Sequence, residues 1–362
     1  MKGKIAAYLR IYTDIREHIT NGDYKFGDKL PSKRMMAEDS DTSVITVEHA
    51  YDLLADEGYI EAKERSGYYV SYMSEDSFPV GEERNIEAFS ENAVTDKYEE
   101  SLDSFPFSGF ARTMRRVLST HGDKILEKSP NDGSLFLRDS ISRYLQRSRG
   151  IHVKNDQIII GAGSEYLYGL IVQMLGRERL YALEDPSYEK IRKVYEANGV
   201  TCEALKLGTK GIHSSELRNT TADVLHVTPF DSYPSGVTAT AGKRREYIAW
   251  AEKRGAIIIE DDYASEFSTS SKSEDTLFSL EPERTVIYLN TFTKTLSPAV
   301  RIGYMLLPGE LADELKRKID FYSCTVPMFD QYVLAELLNS GDFERHVNRV
   351  RRRRRQALSG ND

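Results

Sequence analysis

Five short apolar runs, at 157–160, 179–183, 224–227, 256–260 and 285–289, recur through the middle of the chain with helical stretches such as 189–198 and 243–254 between them. Runs of four or five residues built around Ile, Val and Leu have the length of buried strands, not of helices. Strands joined through helices form crossover units, which leave neighbouring strands parallel. From about residue 103 onward the chain is therefore expected to be an α/β domain around a mainly parallel sheet. Ligands gather beyond the carboxyl ends of the strands in such sheets. Asp261 follows one run directly, and Thr291, Thr293 and Lys294 follow another.

The first 73 residues keep a different period. Leu9, Tyr12, Ile15 and Ile19 fall at helical spacing and the segment stops at Asn21-Gly22. Pro31-Ser32 opens a second, short helix, and Ser43 caps a third that carries Val47, Ala50, Tyr51 and Leu54 on one face. Residues 59–62 and 68–70 read as two strands around a turn at Ser66-Gly67. Three helices and a hairpin give the order of a winged helix-turn-helix. Between the two regions, residues 74–102 hold nine acidic and two basic residues without apolar periodicity, the composition of a linker.

Composition narrows the options. At 362 residues there is chain enough for two cores. The apolar runs are too short to cross a membrane, and the first ten residues lack the apolar core of a secretory signal, so a cytoplasmic location is expected. Cys202 and Cys324 are too far apart and too few for a disulfide framework or a zinc site, so no metal is expected. The net charge of −8 gives no general attraction to nucleic acid.

The segments Lys29-Leu30-Pro31-Ser32-Lys33-Arg34, Ser43-Val44-Ile45-Thr46-Val47 and Ala50 to Ile60 resemble the GntR-type winged helix-turn-helix across the whole first region. That resemblance implies double-stranded DNA as partner, with the helix from Ser43 entering the major groove. It makes Arg34, Ser43, Thr46 and His49 contact residues, and Lys63, Arg65 and Gly67 the wing. Val44 and His49 stand where that family commonly carries arginine. The region holds ten Lys plus Arg against thirteen Asp plus Glu, a net of −3, which suits a phosphate binder poorly. Without the resemblance, the module reads equally as a protein-interaction domain and Ser43 as a helix cap.

In the second region a buried run ends in Glu260-Asp261-Asp262-Tyr263, and Thr291-Phe292-Thr293-Lys294-Thr295-Leu296-Ser297-Pro298 with Arg301 follows. A pyridoxal phosphate site requires an amine for the aldehyde, a carboxylate for the pyridine nitrogen, a phenol for the ring oxygen, and hydroxyls with an arginine for the phosphate. Singly, Lys294 reads as a solvated lysine and Asp261 as a structural carboxylate or metal ligand. Together with 138–150, 161–170, Glu184-Asp185-Pro186-Ser187-Tyr188 and Pro234-Ser235-Gly236, these segments resemble fold-type I aminotransferases. More specifically they resemble the MocR family, which fuses that fold to a GntR-type domain.

The resemblance implies pyridoxal 5′-phosphate as cofactor, with Lys294 its Schiff-base lysine and Asp261 its pyridine partner. Tyr263 would face the ring oxygen, and Arg301, Thr291, Thr293 and Ser164 the phosphate, with the helix after Gly163 offering its first amides. Tyr188 would lie near the ring. Glu165 stands where glutamine is frequent and sets like charge near a phosphate, and Asp231 adds a second carboxylate. The family's small C-terminal subdomain would begin about where the sequence stops, at Asp362, and is expected to be missing. The expected architecture is thus 1–73 winged helix-turn-helix, 74–102 acidic linker, and 103–362 cofactor-binding domain. The function implied is a homodimeric transcription regulator sensing the cofactor, or an amine or amino-acid effector, rather than an enzyme. The alternatives are an aminotransferase with an appended DNA- or protein-binding domain, and a cofactor-free dimerisation scaffold. The run 351–355 of five arginines reads as a solvated helix end.

Overall fold

The computed structural model describes residues 6–64, 66–73, 107–263, 265–267, 274–297 and 299–359. The chain divides into two units, Met1–Val94 and Thr95–Asp362. The expected linker at 74–102 lies outside the described residues.

In the first unit, α1 (Ala7–Thr20), α2 (Lys33–Asp39) and α3 (Val44–Asp56) precede an antiparallel hairpin, β1 (Ile60–Lys63) and β2 (Gly67–Val70). Ser32 and Ser43 start α2 and α3 by accepting the Met35 and Thr46 amides, each 3.2 Å away, which satisfies donors that have no partner within the helix. Val47, Ala50, Tyr51 and Leu54 are fully buried, as their spacing requires. On α1 the buried stripe is Ile11, Tyr12, Ile15 and Ile19, while Leu9 is exposed. The expected stripe is thus shifted at its first member. The Tyr51 hydroxyl donates to the Pro31 carbonyl over 2.8 Å, fixing α3 against the turn that opens α2.

The second unit is built on an eight-stranded sheet. Its strands are β3 (Ile158–Gly161), β4 (Leu180–Asp185), β5 (Thr201–Gly208), β6 (Gly211–Ile212), β7 (Val224–Val227), β8 (Ile257–Asp261), β9 (Val286–Thr291) and β10 (Gly303–Leu306), in the order β3-β10-β9-β8-β7-β4-β5-β6. The run β9-β8-β7-β4-β5 is parallel; β10 pairs antiparallel with both β3 and β9, and β6 antiparallel with β5. The five runs read from sequence are β3, β4, β7, β8 and β9, each within two residues at either end.

Two apolar layers cover the sheet. On one face Ile159, Ile257, Ile259, Ile287, Leu289 and Met305 pack with α6 (Ser164–Leu175), α7 (Glu189–Ala197) and α11 (Ala312–Arg317). On the other, Ile158, Ile160, Ile258, Val286, Tyr288 and Tyr304 pack with α4 (Phe107–His121), α5 (Leu135–Arg149), α8 (Ser214–Asn219), α9 (Ala241–Arg254), α10 (Leu277–Leu280), α12 (Met328–Asn339) and α13 (Asp342–Ser359). This is the period-two alternation of a sheet covered on both faces. Among the described residues, no helix is long and apolar enough to cross a membrane.

The five arginines at 351–355 depart from the expectation of a simply solvated end. They lie within α13, and Arg351 and Arg354 are half-buried. Arg351 donates to the Glu266 carbonyl, and the Arg354 guanidinium lies 4.6 Å from the Phe267 ring centroid. Only Arg352, Arg353 and Arg355 of the run face solvent. Helical spacing puts residues three apart on one face, so one side of the run packs and the other is hydrated.

Candidate functional sites

Strand parity sorts the three acids that end β8. Ile257 and Ile259 face α6, so Asp261, two further on, faces it too, while Glu260 and Asp262 face the opposite layer. Asp262 is neutralised there: Arg149 pairs with it and the Tyr288 hydroxyl donates to it over 2.8 Å. Glu260 takes the Leu277 and Phe278 amides at 2.8 and 2.9 Å at the start of α10. Burial, and then the Asp262 charge, push its pKa up to about 8.

Asp261 has another kind of surrounding. It is 4% exposed, accepts a hydrogen bond from the Tyr168 hydroxyl of α6, and has the His226 Nε2 of β7 at 3.7 Å. His226 Nδ1 and the Tyr195 hydroxyl are 2.8 Å apart, and the Tyr168, Tyr195 and His226 rings pack edge to face or tilted, with centroids 5.3–5.7 Å apart. Among the described residues no lysine or arginine pairs with Asp261. A buried carboxylate held by one hydroxyl, with an unbonded imidazole nitrogen nearby and no strong cation, is suited to a protonated heterocycle. Sequence reasoning did not find Tyr168 or His226. The signal for His226 is a lone polar residue in the buried run Val224-Leu225-His226-Val227. Tyr168 lies one helical turn after Ser164 on the inward side of α6.

The other expected residues assemble around the same strand ends. The Lys294 Nζ lies 4.5 Å from the Tyr263 ring centroid, and the Tyr263 hydroxyl donates to the Asp231 carbonyl over 2.9 Å. Ser164 is the first residue of α6, preceded by Gly163 at φ +90°, a conformation that favours glycine. A Cβ on Gly163 would stand 3.4 Å from the Arg301 guanidinium. That is an ordinary contact distance, so the positive φ is what calls for glycine, and the arginine lies beside a helix start whose unpaired amides favour an anion. Arg301 also lies 3.7 Å from Glu165, which Lys190 pairs at 3.0 Å. The acid that departs from the family pattern therefore carries its own cation and also draws on Arg301. Thr291 donates to Thr293 over 2.9 Å, and Thr293 to the Val300 carbonyl over 3.1 Å. Both hydroxyl hydrogens are engaged within the turn, and facing a phosphate requires them to rotate. Tyr188 precedes α7, with its ring edge toward Tyr233 at 6.0 Å.

These residues fit a pyridine ring bearing an aldehyde and a phosphate. There is a carboxylate for the ring nitrogen, an amine and a phenol in contact with each other, and a glycine-opened helix start beside an arginine. Glu184, buried under the neighbouring turn, accepts the Thr228 amide and the Ser232 hydroxyl at 3.2 and 2.8 Å. Burial pushes its pKa up to about 7.

In the first unit the expected DNA contacts lie on α2, α3 and the hairpin. Arg34, Ser43, His49 and Lys63 are exposed; Thr46 and Gly67 are half-buried. Ser43 and Thr46 are bonded to each other, Oγ to Oγ1, at 2.8 Å, and the His49 ring stands edge-on to Tyr8 at 5.9 Å. Lys33 is tied to Glu48 at 2.6 Å. The Lys63 Nζ is 3.0 Å from Glu61 and 4.8 Å from the Tyr69 ring centroid. Arg65 lies outside the described residues.

Comparison with known proteins matches both units. Residues 103–359 match the model of aminotransferases of class I and II, a family dependent on pyridoxal phosphate, and residues 7–70 match that of bacterial regulatory proteins of the gntR family. An uncharacterised HTH-type transcriptional regulator, YdeL, of Bacillus subtilis is 33% identical over 362 residues, covering 98% of this chain and 78% of its own. The probable rhizopine catabolism regulatory protein MocR of Rhizobium meliloti is 28% identical over 369 residues, covering 96% and 75%. A multiple substrate aminotransferase from Thermococcus profundus shares the fold with a TM-score of 0.64 at 22% identity, over 70% of this chain. The chain spans 65% of that aminotransferase's length. With both family models matched in order and relatives aligned along nearly its whole length, the chain belongs to the MocR-type transcription regulators, in which a GntR winged helix-turn-helix is joined to an aminotransferase class I and II unit.

Proposed function

We propose that this regulator holds pyridoxal 5′-phosphate at the ends of β8 and β9 and uses it to sense an amine or amino acid, with DNA binding as the output. The observation that carries this reading is Asp261, buried beside Tyr168 and His226 on the same strand ends that bring Lys294 against Tyr263.

When bound, the cofactor supplies an aldehyde that amines capture reversibly. Lys294 provides the resident amine, and an effector amine competes with it. Asp261 would keep a proton on the ring nitrogen, with the Tyr168 hydroxyl holding that carboxylate and His226 beside it. Tyr263 offers its phenol to the ring oxygen, exchanging its present Asp231 carbonyl. Arg301 and the amides from Ser164 hold the phosphate, with Thr291 and Thr293 beside them, and Tyr188 bounds the ring side. A ligand shifts a two-state regulator only by binding one state more tightly than the other. An effector amine that took the aldehyde in place of Lys294 would be such a ligand. The working form is a cytoplasmic homodimer, with Arg34, Ser43, Thr46, His49, Lys63, Arg65 and Gly67 toward the DNA.

Electrophoretic mobility shifts on the DNA upstream of the protein's own gene test the reading, with and without cofactor and with a panel of amino acids and amines. A retarded complex whose midpoint moves severalfold with cofactor or one amine is expected. No complex at low salt under any condition contradicts it.

A further inference from the structure

The base-reading end of α3 is apolar. Val44 and Ile45 are the first two residues after the Ser43 cap and are 42% and 70% exposed. The inward stripe of the helix is complete without them, since Val47, Ala50, Tyr51 and Leu54 fill it. Three β-branched residues in a row, Val44-Ile45-Thr46, lower helix propensity, and the exposed pair wins little burial in return. An apolar pair left in water at a helix start marks a surface kept for a partner.

Ser43, Thr46 and Lys33, polar neighbours of the pair, are already engaged. Ser43 caps the helix and bonds Thr46, His49 lies against Tyr8, and Lys33 is held by Glu48. Beside exposed His49, the surface left to meet a base edge is the pair of branched aliphatic chains, with exposed Arg34 and Lys63 elsewhere on the unit supplying charge for phosphates. The N-terminal residues of a recognition helix meet base edges in the major groove, and the apolar feature exposed there is the thymine 5-methyl group.

We infer that Val44 and Ile45 are specificity-determining residues that read thymine methyl groups, so that each half-site is fixed by thymine positions rather than by guanine contacts to arginine. The inference rests on the DNA-binding reading of α3 and deepens it.

The test uses the full-length protein. A random pool of duplexes is selected for binding, and the enriched duplex is then synthesised with thymine or with deoxyuridine, which lacks only the methyl group. Loss of one buried methyl is expected to weaken binding about fourfold, and loss of one in each of two half-sites roughly fifteenfold. The Val44→Ala/Ile45→Ala double variant should bind the thymine duplex with the affinity of the wild type for the uracil duplex, and show no thymine preference. Lys63→Ala should weaken both duplexes equally and leave the preference intact. Equal wild-type binding to thymine and uracil duplexes overturns the inference while leaving DNA binding standing. So does a preference that survives in the double variant. Enrichment of no duplex and retention of none at low salt overturns the DNA-binding reading, and the inference with it.

Discussion

Glu184 sits at the end of β4 with its acceptors filled by neutral donors and no cation among its bonds. Burial pushes its pKa from 4.5 up to about 7. A carboxyl that binds a proton more tightly when folded contributes full stability below its unfolded pKa, and that contribution is lost as pH rises through the folded value. In the cofactor-free protein, denaturant unfolding should show Glu184→Gln gaining on the wild type by on the order of 2 kcal/mol between pH 5 and 8. Parallel pH profiles for the two would mean that Glu184 is charged in the fold. At this scale the sequence was informative where chemistry is local. Asp261 was legible as the end of a buried run, and parity alone separates it from Asp262. Tyr168 and His226 were not, because they meet Asp261 only through packing between α6 and β7, which no local pattern encodes.

Helix ends were the most legible elements, since a cap is a property of one residue. Ser134 and Gly150 bound α5, and Thr240 and Gly255 bound α9, each with a polar start like the Ser43 start of α3 and a glycine end. Strands β5, β6 and β10 escaped. β5 reads Thr-Cys-Glu-Ala-Leu-Lys-Leu-Gly, mixing polar and apolar residues, and β10 lies between its neighbour β9 and the distant β3, antiparallel to both. The Ser43 cap supports a prediction that separates folding from recognition. Ser43→Ala should cost the first unit about 1 kcal/mol, read by denaturant unfolding. Ser43→Asp should keep the cap, since an acid suits a helix start, yet weaken DNA affinity roughly tenfold by setting a carboxylate toward the phosphates. Equal DNA affinity for Ser43→Asp and the wild type would remove the α3 start from the interface.

Across the whole chain, the two-unit plan was readable because each region keeps its own hydrophobic period, helical stripes before residue 73 and strand-length runs after residue 157. Net charge was a poor guide, since a first region of net −3 belongs to a DNA-binding family. Placement of the few exposed cations outweighs their sum. In the proposed function the cofactor is what would link the two units, and one spectrum decides whether Lys294 carries it. Purified full-length protein, mixed with pyridoxal phosphate and freed of excess, should show an absorbance band at roughly 410–430 nm, as a lysine bonded to the aldehyde requires. Borohydride should abolish the band and fix the cofactor's mass on the peptide containing Lys294, and Lys294→Ala should show neither. A colourless wild-type protein, or a band that persists in Lys294→Ala, would contradict the assignment.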